Sequence, residues 1–461
     1  MKSCRVLRLA CLCLFSGALI ACASATNGTR NALPVTPLRD RGELVSRTAY
    51  LGAAPYGARG IVVPYHVATW AYDGGYSADN VAASDVARLV SYAEGGGKAV
   101  ADCHSTSPPS CIAVMYFNPN MLYYSYHCRM DDAIISKAPE SAFVHYASGA
   151  HRIGNSRISY CGGSTRTYFM HGNSSAWKEM MNARIHASDQ YDAYYMDDTA
   201  SSLQSLSSGG GGMCPEDHNP YDFCHTTKEY KSDADVVASR AALAQAMTHT
   251  DGRPAKMVYN GNISPALYTS APNNYMGTNV ESSVVWADQG RPTRYELTLN
   301  FMQQISKTSG FYILNSRGSG VLSARLIHSA VLLLGYSEGH TVSWEQFESG
   351  SSKLSIWPEA LIYPTQPLQS MNGAATDLQV APGVWRREFV GCFLAQKRFG
   401  QCAALLNANN HSVAINPKWF AQRYGHGISF YGRDVLSGGT TNLNAPLPSS
   451  VAPAGGLILA P

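Results

Sequence analysis

The chain has 461 residues and a formal net charge of +3, from 35 Lys and Arg against 32 Asp and Glu. Its length suffices for one large domain and a smaller one. The small charge, without a run rich in Lys and Arg, argues against a nucleic-acid-binding protein. The 27 tyrosines and 7 tryptophans suit neutral ligands such as sugars, although we expect most of these rings to pack in the core or in loops.

The first residues are typical of an export signal. An apolar stretch, residues 9–21, follows basic residues and is too short to span a bilayer as a helix. Leu-Ile-Ala-Cys at residues 19–22 resembles a bacterial lipobox, which would make Cys22 the lipidated first residue of the mature protein. Cleavage after Ala23 or Ala25 is the alternative. We expect an exported protein, either secreted or located in the periplasm or at the outer membrane as a lipoprotein.

Eight of the twelve cysteines follow the predicted leader. An even number of cysteines in an exported chain indicates disulfides. Three pairs would close short loops, namely Cys103–Cys111, Cys214–Cys224 and Cys392–Cys402. The two remaining cysteines give the fourth expected bridge, Cys128–Cys161. Because the spacings include no C-x-x-C, we expect no metal site, and we expect no cofactor.

The chain order of the predicted elements indicates an α/β fold. A signal peptide is expected at residues 1–22 and a polar tether at 23–57, and from 58 to 375 strand-like segments alternate with helix-like ones. Eight segments have the composition of strands, at residues 61–66, 112–117, 142–146, 191–197, 256–260, 275–281, 311–315 and 341–344. Eight strand–helix units predict a (β/α)8 TIM barrel. A doubly wound open sheet is the alternative, but no G-x-G-x-x-G follows the first strand.

Local signals place helices between these strands. Ser232-x-x-Asp235 resembles a capping box at a helix start, and residues 322–334 have helical composition. After residue 375 the pattern changes, because two strand-like segments follow each other without a helix between them. We therefore expect a small C-terminal antiparallel β-sandwich domain at residues 376–461, packed on the barrel.

The stretch Tyr195-Met196-Asp197-Asp198 reads Y-M-D-D, which carries metal-binding carboxylates in reverse transcriptases. An apolar returning strand should follow it there, whereas residues 199–212 here have the composition of a loop, so a polymerase is rejected. In a barrel, active sites form at the carboxyl ends of the strands. Asp197 and Asp198 end the fourth predicted strand and Glu281 ends the sixth, so we expect these carboxylates to be catalytic.

Other polar or aromatic residues lie on or near the predicted strands, as a hydroxyl-rich ligand requires. The candidate substrate-binding residues are Tyr65, His66, Trp70, Asn118, Asn260, Asn315 and Arg317. Each type also has a structural interpretation, since Asn forms turns and His and Trp pack in cores. The Asp pair has the alternative role of a loop anchor or helix cap, and Glu281 that of a salt-bridge partner.

Four short motifs, "YYMDDTA", "VYNGN", "TNVESS" and "VWRREF…ALLN", follow one another over roughly residues 58–461. In this order they resemble glycosyl-hydrolase-like barrel proteins of the hypothetical glycosyl hydrolase family 15 type, which are distantly similar to α-galactosidase and polygalactosaminidase barrels. The resemblance implies that Asp197 is the nucleophile or base and Glu281 the proton donor. Because two acids are adjacent on strand four, the choice between Asp197 and Asp198 stays open.

The sequence thus predicts an exported glycoside hydrolase that cleaves O-glycosidic bonds of a polysaccharide or oligosaccharide with two carboxylates. The resemblance to α-galactosidase-type barrels favours a retaining mechanism. One alternative is a non-catalytic carbohydrate-binding protein on a barrel scaffold. The other is a polysaccharide deacetylase, which would need a metal held by closely spaced His and Asp, and the sequence contains no such cluster.

Overall fold

A computed structural model describes residues 68–71, 112–125, 132–145, 152, 154–160, 163–197, 199, 227–260, 265–280, 292–317, 321–337, 340–346, 358–371, 374–394, 397–432 and 438–461. The predicted signal peptide, the tether and Cys22 lie outside these residues. So do the candidates Tyr65, His66, Asp198 and Glu281.

Ten described strands precede residue 347. In chain order they are β1 (Ala68–Ala71), β2 (Ile112–Phe117), β3 (Met121–Ser125), β4 (Gly154–Tyr160), β5 (Gly163–Phe169), β6 (Ala193–Met196), β7 (Lys256–Asn260), β8 (Tyr275–Val280), β9 (Phe311–Arg317) and β10 (Thr341–Gln346). Seven of these described strands form one sheet in the order β1-β2-β6-β7-β8-β9-β10, and every neighbouring pair is parallel. The other three form an antiparallel sheet in the order β3-β5-β4.

From β2 to β10, helices lie in the connections between successive strands of the parallel sheet, as parallel pairing requires. The described α-helices are α1 (Asp132–Ile135), α2 (Ser175–Ala187), α3 (Asp233–Ala246), α4 (Pro265–Ser270), α5 (Pro292–Ile305) and α6 (Leu322–Leu334). The predicted capping box is confirmed at α3, where the Asp235 amide donates to Ser232 Oγ at 3.3 Å and the Ser232 amide donates to Asp235 Oδ2 at 2.9 Å. The predicted helix at 322–334 is confirmed as well.

The predicted alternation of strands and helices is therefore confirmed over this part of the chain. The strands β1 and β10 are the two edges of the parallel sheet, and no ladder between described residues joins them. Closure into an eight-stranded barrel stays a prediction.

The segment predicted as the third strand, residues 142–146, differs from the expectation. Strand β2 pairs directly with β6, and Glu140–Ala142 forms a 3-10 helix. The Val144 amide donates to the Phe169 carbonyl at 2.8 Å, and His145 forms an isolated bridge to Arg152. The backbone of this segment is thus engaged by the antiparallel strands and their flanks, which explains why it does not join the parallel sheet.

The C-terminal part is built from antiparallel strands. They are β11 (Ile362–Pro364), β12 (Gln379–Ala381), β13 (Val384–Leu394), β14 (Lys397–Asn407), β15 (Val413–Ala414), β16 (His426–Tyr431), β17 (Thr440–Pro446), β18 (Ser450–Val451) and β19 (Gly455–Ala460). The main sheet has the order β11-β13-β14-β19-β16-β17, β12 pairs with β13, and β15 pairs with β18. The predicted antiparallel character is confirmed.

One predicted disulfide lies in this sheet. Cys392 of β13 and Cys402 of β14 are bonded, with Cα atoms 5.8 Å apart, and both are fully buried. This confirms the expected Cys392–Cys402 pairing. The other six mature cysteines lie outside the described residues.

Helix α6 contacts both parts of the chain. A Cβ added to Gly456 of β19 would lie 2.1 Å from the carbonyl oxygen of Leu326, so the strand can approach the helix this closely only with glycine. Arg325 of α6 forms a buried ion pair with Glu359 at 3.1 Å and donates to the Gly432 carbonyl at 3.2 Å. Burial raises the pKa of Glu359 to about 7, and the charge of Arg325 opposes that shift.

Candidate functional site

Four polar residues occupy one level at the carboxyl edge of the parallel sheet. Phe117, Met196 and Tyr259 are paired across β2, β6 and β7, so the residues that follow them fall at the next level. Asn260 is in turn paired with residue 279 of β8. We call this set the amide row, and its members are Asn118, Asp197, Asn260 and Asn279.

Hydrogen bonds join three members of the amide row in one direction. Asn279 Nδ2 donates to Asn260 Oδ1 at 2.7 Å, and Asn260 Nδ2 donates to Asp197 Oδ1 at 2.5 Å. Asn279 Nδ2 also lies 2.5 Å from the hydroxyl of Tyr195, which accepts from it. Asp197 Oδ1 thus accepts a hydrogen bond from an amide whose own orientation is fixed by Asn279.

The backbone around Asp197 is fixed as well. Asn120 Nδ2 donates to the main-chain carbonyl of Asp197 at 2.7 Å, and Thr199 Oγ1 donates to the Met196 carbonyl at 2.6 Å. The Thr199 amide donates to the Asn260 carbonyl at 2.8 Å, beyond the end of strand β6. Side chains and main chain together hold Asp197 in one position relative to β7.

Burial separates Asp197 from its neighbours in the amide row. Asn118, Asn260 and Asn279 have exposed fractions of 1 %, 5 % and 0 %, whereas Asp197 is half-buried. The carboxylate is therefore the member of the row that can reach a ligand at the strand ends. The amides behind it act as a fixed support.

Asn118 has a specific local contact. Its Oδ1 accepts from the amides of Asn120 at 3.3 Å and Met121 at 3.0 Å, which is the hydrogen-bond pattern of an Asx turn. Trp177 of α2 donates from Nε1 to the Pro119 carbonyl at 2.9 Å within the same turn. The geometry thus assigns Asn118 a turn-anchoring contact, and its expected contact with a sugar stays a prediction.

The remaining candidates fall at other levels of the sheet or outside the described residues. Trp70 pairs with Val114, four residues before Asn118 along the strand direction. Ile313 pairs with Asn279, so Asn315 lies two residues beyond the level of the amide row and Arg317 four, about 7 and 13 Å along the strand. Tyr65, His66, Asp198 and Glu281 are not among the described residues.

Sequence reasoning missed three contributors to this site, namely Asn120, Thr199 and Asn279. The signal for Asn279 lay in the motif "TNVESS", where it stands two residues before the acid that drew attention. Asn120 and Thr199 follow strand ends by three residues each, and nothing in the local sequence distinguishes them from ordinary loop residues.

In the part of the chain that the structure describes, no group of three or more His, Cys, Asp or Glu side chains is arranged to hold a metal ion.

Within the same residues, every helix is too short or too polar to cross a bilayer.

Neither a protein-family model nor a curated protein matches the sequence. Among solved structures, the chain is similar to the glycoside hydrolase domain of PelA from Pseudomonas aeruginosa, at 11% identity and a TM-score of 0.35 over 62% of this chain and 88% of that one. It is also similar to Ega3 from Aspergillus fumigatus in complex with galactosamine, at 10% identity and a TM-score of 0.29 over 54% and 79% of the two chains.

A third similar structure is TtGalA, the α-galactosidase from Thermus thermophilus, at 12% identity and a TM-score of 0.35. The alignment covers 65% of this chain and 54% of that one.

Proposed function

We propose that this protein is a glycoside hydrolase in which Asp197 is the catalytic carboxylate. The observation that supports the proposal is the 2.5 Å hydrogen bond from Asn260 Nδ2 to Asp197 Oδ1 at the carboxyl edge of a parallel sheet. Catalytic groups gather at this edge in strand–helix folds. Asp197 is half-buried, so a ligand at the strand ends can contact it.

The chemistry follows from the charge that develops during glycoside cleavage. The transition state resembles an oxocarbenium ion, which a carboxylate stabilises from below the sugar ring. Asp197, held as a hydrogen-bond acceptor, would attack the anomeric carbon or accept a proton from water. The amide of Asn260 fixes the direction of the carboxylate and adds no charge of its own beside it.

The second carboxylate of the proposal is Glu281, as the proton donor to the leaving oxygen, with Asp198 as a hydroxyl ligand or as the alternative nucleophile. A retaining mechanism is proposed, which requires the two carboxyl groups to be about 5–5.5 Å apart. Tyr65, His66, Trp70, Asn315 and Arg317 are proposed to bind the sugar chain. These assignments rest on the sequence motifs.

The experiment is digestion of a polysaccharide panel with the wild-type protein and two variants. Asp197→Asn should abolish release of reducing sugar from every substrate that the wild type cleaves. Asp251→Asn makes the same change at an exposed loop residue before β7, at the opposite edge of the sheet, and should leave turnover unchanged. If both variants cleave like the wild type, Asp197 is not catalytic.

The same panel separates catalysis from binding. A carbohydrate-binding protein would migrate more slowly in a gel that contains the polysaccharide, and the wild-type form would release no sugar from it. For a substrate that is cleaved, proton NMR of the first product anomer decides the stereochemistry, and the α-anomer from an α-glycoside would support retention.

We also propose that the protein is exported and that Cys22 carries a lipid. The wild type should fractionate with membranes, and Cys22→Ala should become soluble in the periplasm or the medium. A wild-type protein that is already soluble, with an N-terminus beyond Cys22, would contradict the anchor.

A further inference from the structure

A cleft with a volume of about 580 Å³ lies between the parallel-sheet part and the C-terminal sheet, and this volume is in the range of small-molecule sites. Its walls come from the end of helix α5, the residues after helix α6, the segment that follows β11, and one side chain of β13. We call it the junction cleft. The residues used below are Gln303, Tyr336, Gln366, Ser370, Met371 and Arg387.

The junction cleft is separate from the amide row. Helices α5 and α6 each end just before the start of a parallel strand, β9 and β10 respectively. Their last turns therefore lie near the amino edge of the sheet, whereas Asp197 follows the carboxyl end of β6. A ligand in the cleft cannot contact Asp197.

Arg387 is a charged side chain that lines the junction cleft and can donate hydrogen bonds to a ligand. It is 5 % exposed, and its Nη1 donates to the carbonyls of Leu334 and Tyr336, each at 2.7 Å. Its Nε donates to the Gln369 carbonyl at 3.1 Å. These bonds leave Nη2, with its two N–H groups, without an acceptor in the described part of the chain.

The positive charge of Arg387 restricts the chemical class of ligand that the junction cleft can bind. Burial lowers its pKa to about 10, so it is still a cation at neutral pH. Carbonyls at the end of α6 offset part of this charge, because a helix C-terminus carries about half a negative charge. A dianion such as phosphate would be repelled by these carbonyls, whereas a single acceptor oxygen can bond to Nη2 without approaching them.

The other walls fit a sugar ring. Gln303, Gln366 and Ser370 offer amide and hydroxyl groups that make no hydrogen bond within the described residues. Met371 and the two prolines of the segment 364–371 offer apolar surface on the same cleft. Hydroxyls beside C–H faces are the surface of a pyranose, which needs both kinds of contact.

We propose that the junction cleft binds a sugar unit that carries one sp² acceptor oxygen, which bonds to Nη2 of Arg387. A uronic acid provides this oxygen as a carboxylate, and an N-acetylated sugar provides it as an amide carbonyl. The site is independent of the proposed hydrolysis, and it would hold a saccharide near the amino edge of the sheet, whereas Asp197 lies at the carboxyl edge.

The experiment is calorimetric titration of the Asp197→Asn protein with methyl glucuronide, methyl N-acetylglucosaminide and methyl glucoside. The glucuronide, the N-acetylglucosaminide or both should bind at least about tenfold more tightly than the glucoside, the value of one hydrogen bond to a charged group. Whichever binds more tightly identifies the acceptor as carboxylate or amide. Equal binding of all three, or no binding of any, overturns the proposal.

Variants locate the site. Arg387→Gln should weaken the preferred ligand at least about tenfold. Gln366→Trp fills the cleft from an exposed position and should do the same in a protein that folds normally. Arg398→Gln removes an exposed arginine of the same sheet and should change nothing. If Arg387→Gln does not fold, Gln366→Trp decides, and its binding at the level of Arg398→Gln overturns the proposal.

Discussion

Asn260 Nδ2 lies 2.5 Å from Oδ1 of Asp197, and the same Asn260 accepts a hydrogen bond from the fully buried Asn279. The candidate catalytic carboxylate is therefore held by a neutral amide that is itself held from behind. Both positioning groups are neutral amides, so they fix the direction of the carboxylate that would face a positively charged transition state without adding a charge of their own.

This relationship predicts that Asn260→Leu lowers kcat/KM of the proposed glycosidase by about tenfold to hundredfold, the value of a hydrogen bond to a charged group. Asn260→Asp should be at least as damaging, because it places a second acid beside Asp197. The measurement is initial-rate kinetics on the substrate found in the panel. Asn273→Leu, an exposed Asn in the turn before β8, is the matched control. Equal kinetics for Asn260→Leu and the control would contradict the positioning role.

The lowered pKa of Glu140 predicts that the free energy of unfolding depends on pH in the acid range. Its pKa is lowered from 4.5 to about 2, first by the hydrogen bond from Arg152, while burial opposes the shift and His145 adds to it. The folded state binds this proton less tightly than the unfolded state, so stability rises with pH across this window and is lost as pH falls from about 4.5 to about 2.

The measurement is urea denaturation at several pH values in that window. Glu140→Gln should flatten the acid slope of the free energy of unfolding, whereas Glu179→Gln, exposed on α2, is the matched control. An unchanged acid slope in Glu140→Gln would remove Glu140 from the account of acid stability.

The buried pair Arg325–Glu359 predicts an asymmetry between single and double variants. Arg325→Met should lower the free energy of unfolding by about 3–5 kcal/mol at pH 8, because it leaves a buried carboxyl without its partner. Arg325→Met with Glu359→Met should cost much less. Burial raises the pKa of Glu359 and Arg325 opposes that shift, so loss of Arg325 should raise this pKa further, and the cost of the single variant should shrink as the pH falls from 8 towards 7. Additive effects in this double-mutant cycle would show that the pair is not coupled.

The disulfide Cys392–Cys402 closes a loop with a sequence separation of 10 residues. Replacing both cysteines by Ala should lower the free energy of unfolding by about 2–3 kcal/mol, measured by chemical denaturation. A reductant should lower the free energy of unfolding of the wild type by about 2–3 kcal/mol more than that of the variant, which keeps the three further predicted bridges.

For the full set of mature cysteines, mass spectrometry of the exported protein should find four bridges and no free thiol. Free thiols in the native protein would contradict the prediction of three further bridges.

Part of the site could be predicted because it follows from local sequence. Apolar runs end at Phe117, Met196 and Tyr259, and the polar residues that follow them mark the edge of a parallel sheet. The alternation of strands and helices and the capping box of α3 depend on neighbouring residues too. Periodicity and capping residues carry this kind of information.

The rest depends on contacts between residues far apart in sequence. Asn279 contacts Asn260 because of the register of two parallel strands. Asn120 contacts Asp197 from a turn more than seventy residues earlier in the chain. No pattern within one segment specifies such a register. The segment 142–146 has strand-like composition because Ala142, Phe143 and Val144 are buried, but the Val144 amide bonds to the Phe169 carbonyl of the antiparallel sheet and not to a parallel strand.

The position of helix α6 between the two sheets has a consequence for how the molecule can be divided. Leu333 of this helix packs in the apolar cluster of the C-terminal sheet, while Trp385 of that sheet packs in the cluster of the parallel sheet. Each half thus supplies part of the other's interior. A fragment that ends near residue 375 would expose apolar surface and aggregate. In the intact chain, both halves should unfold in a single calorimetric transition.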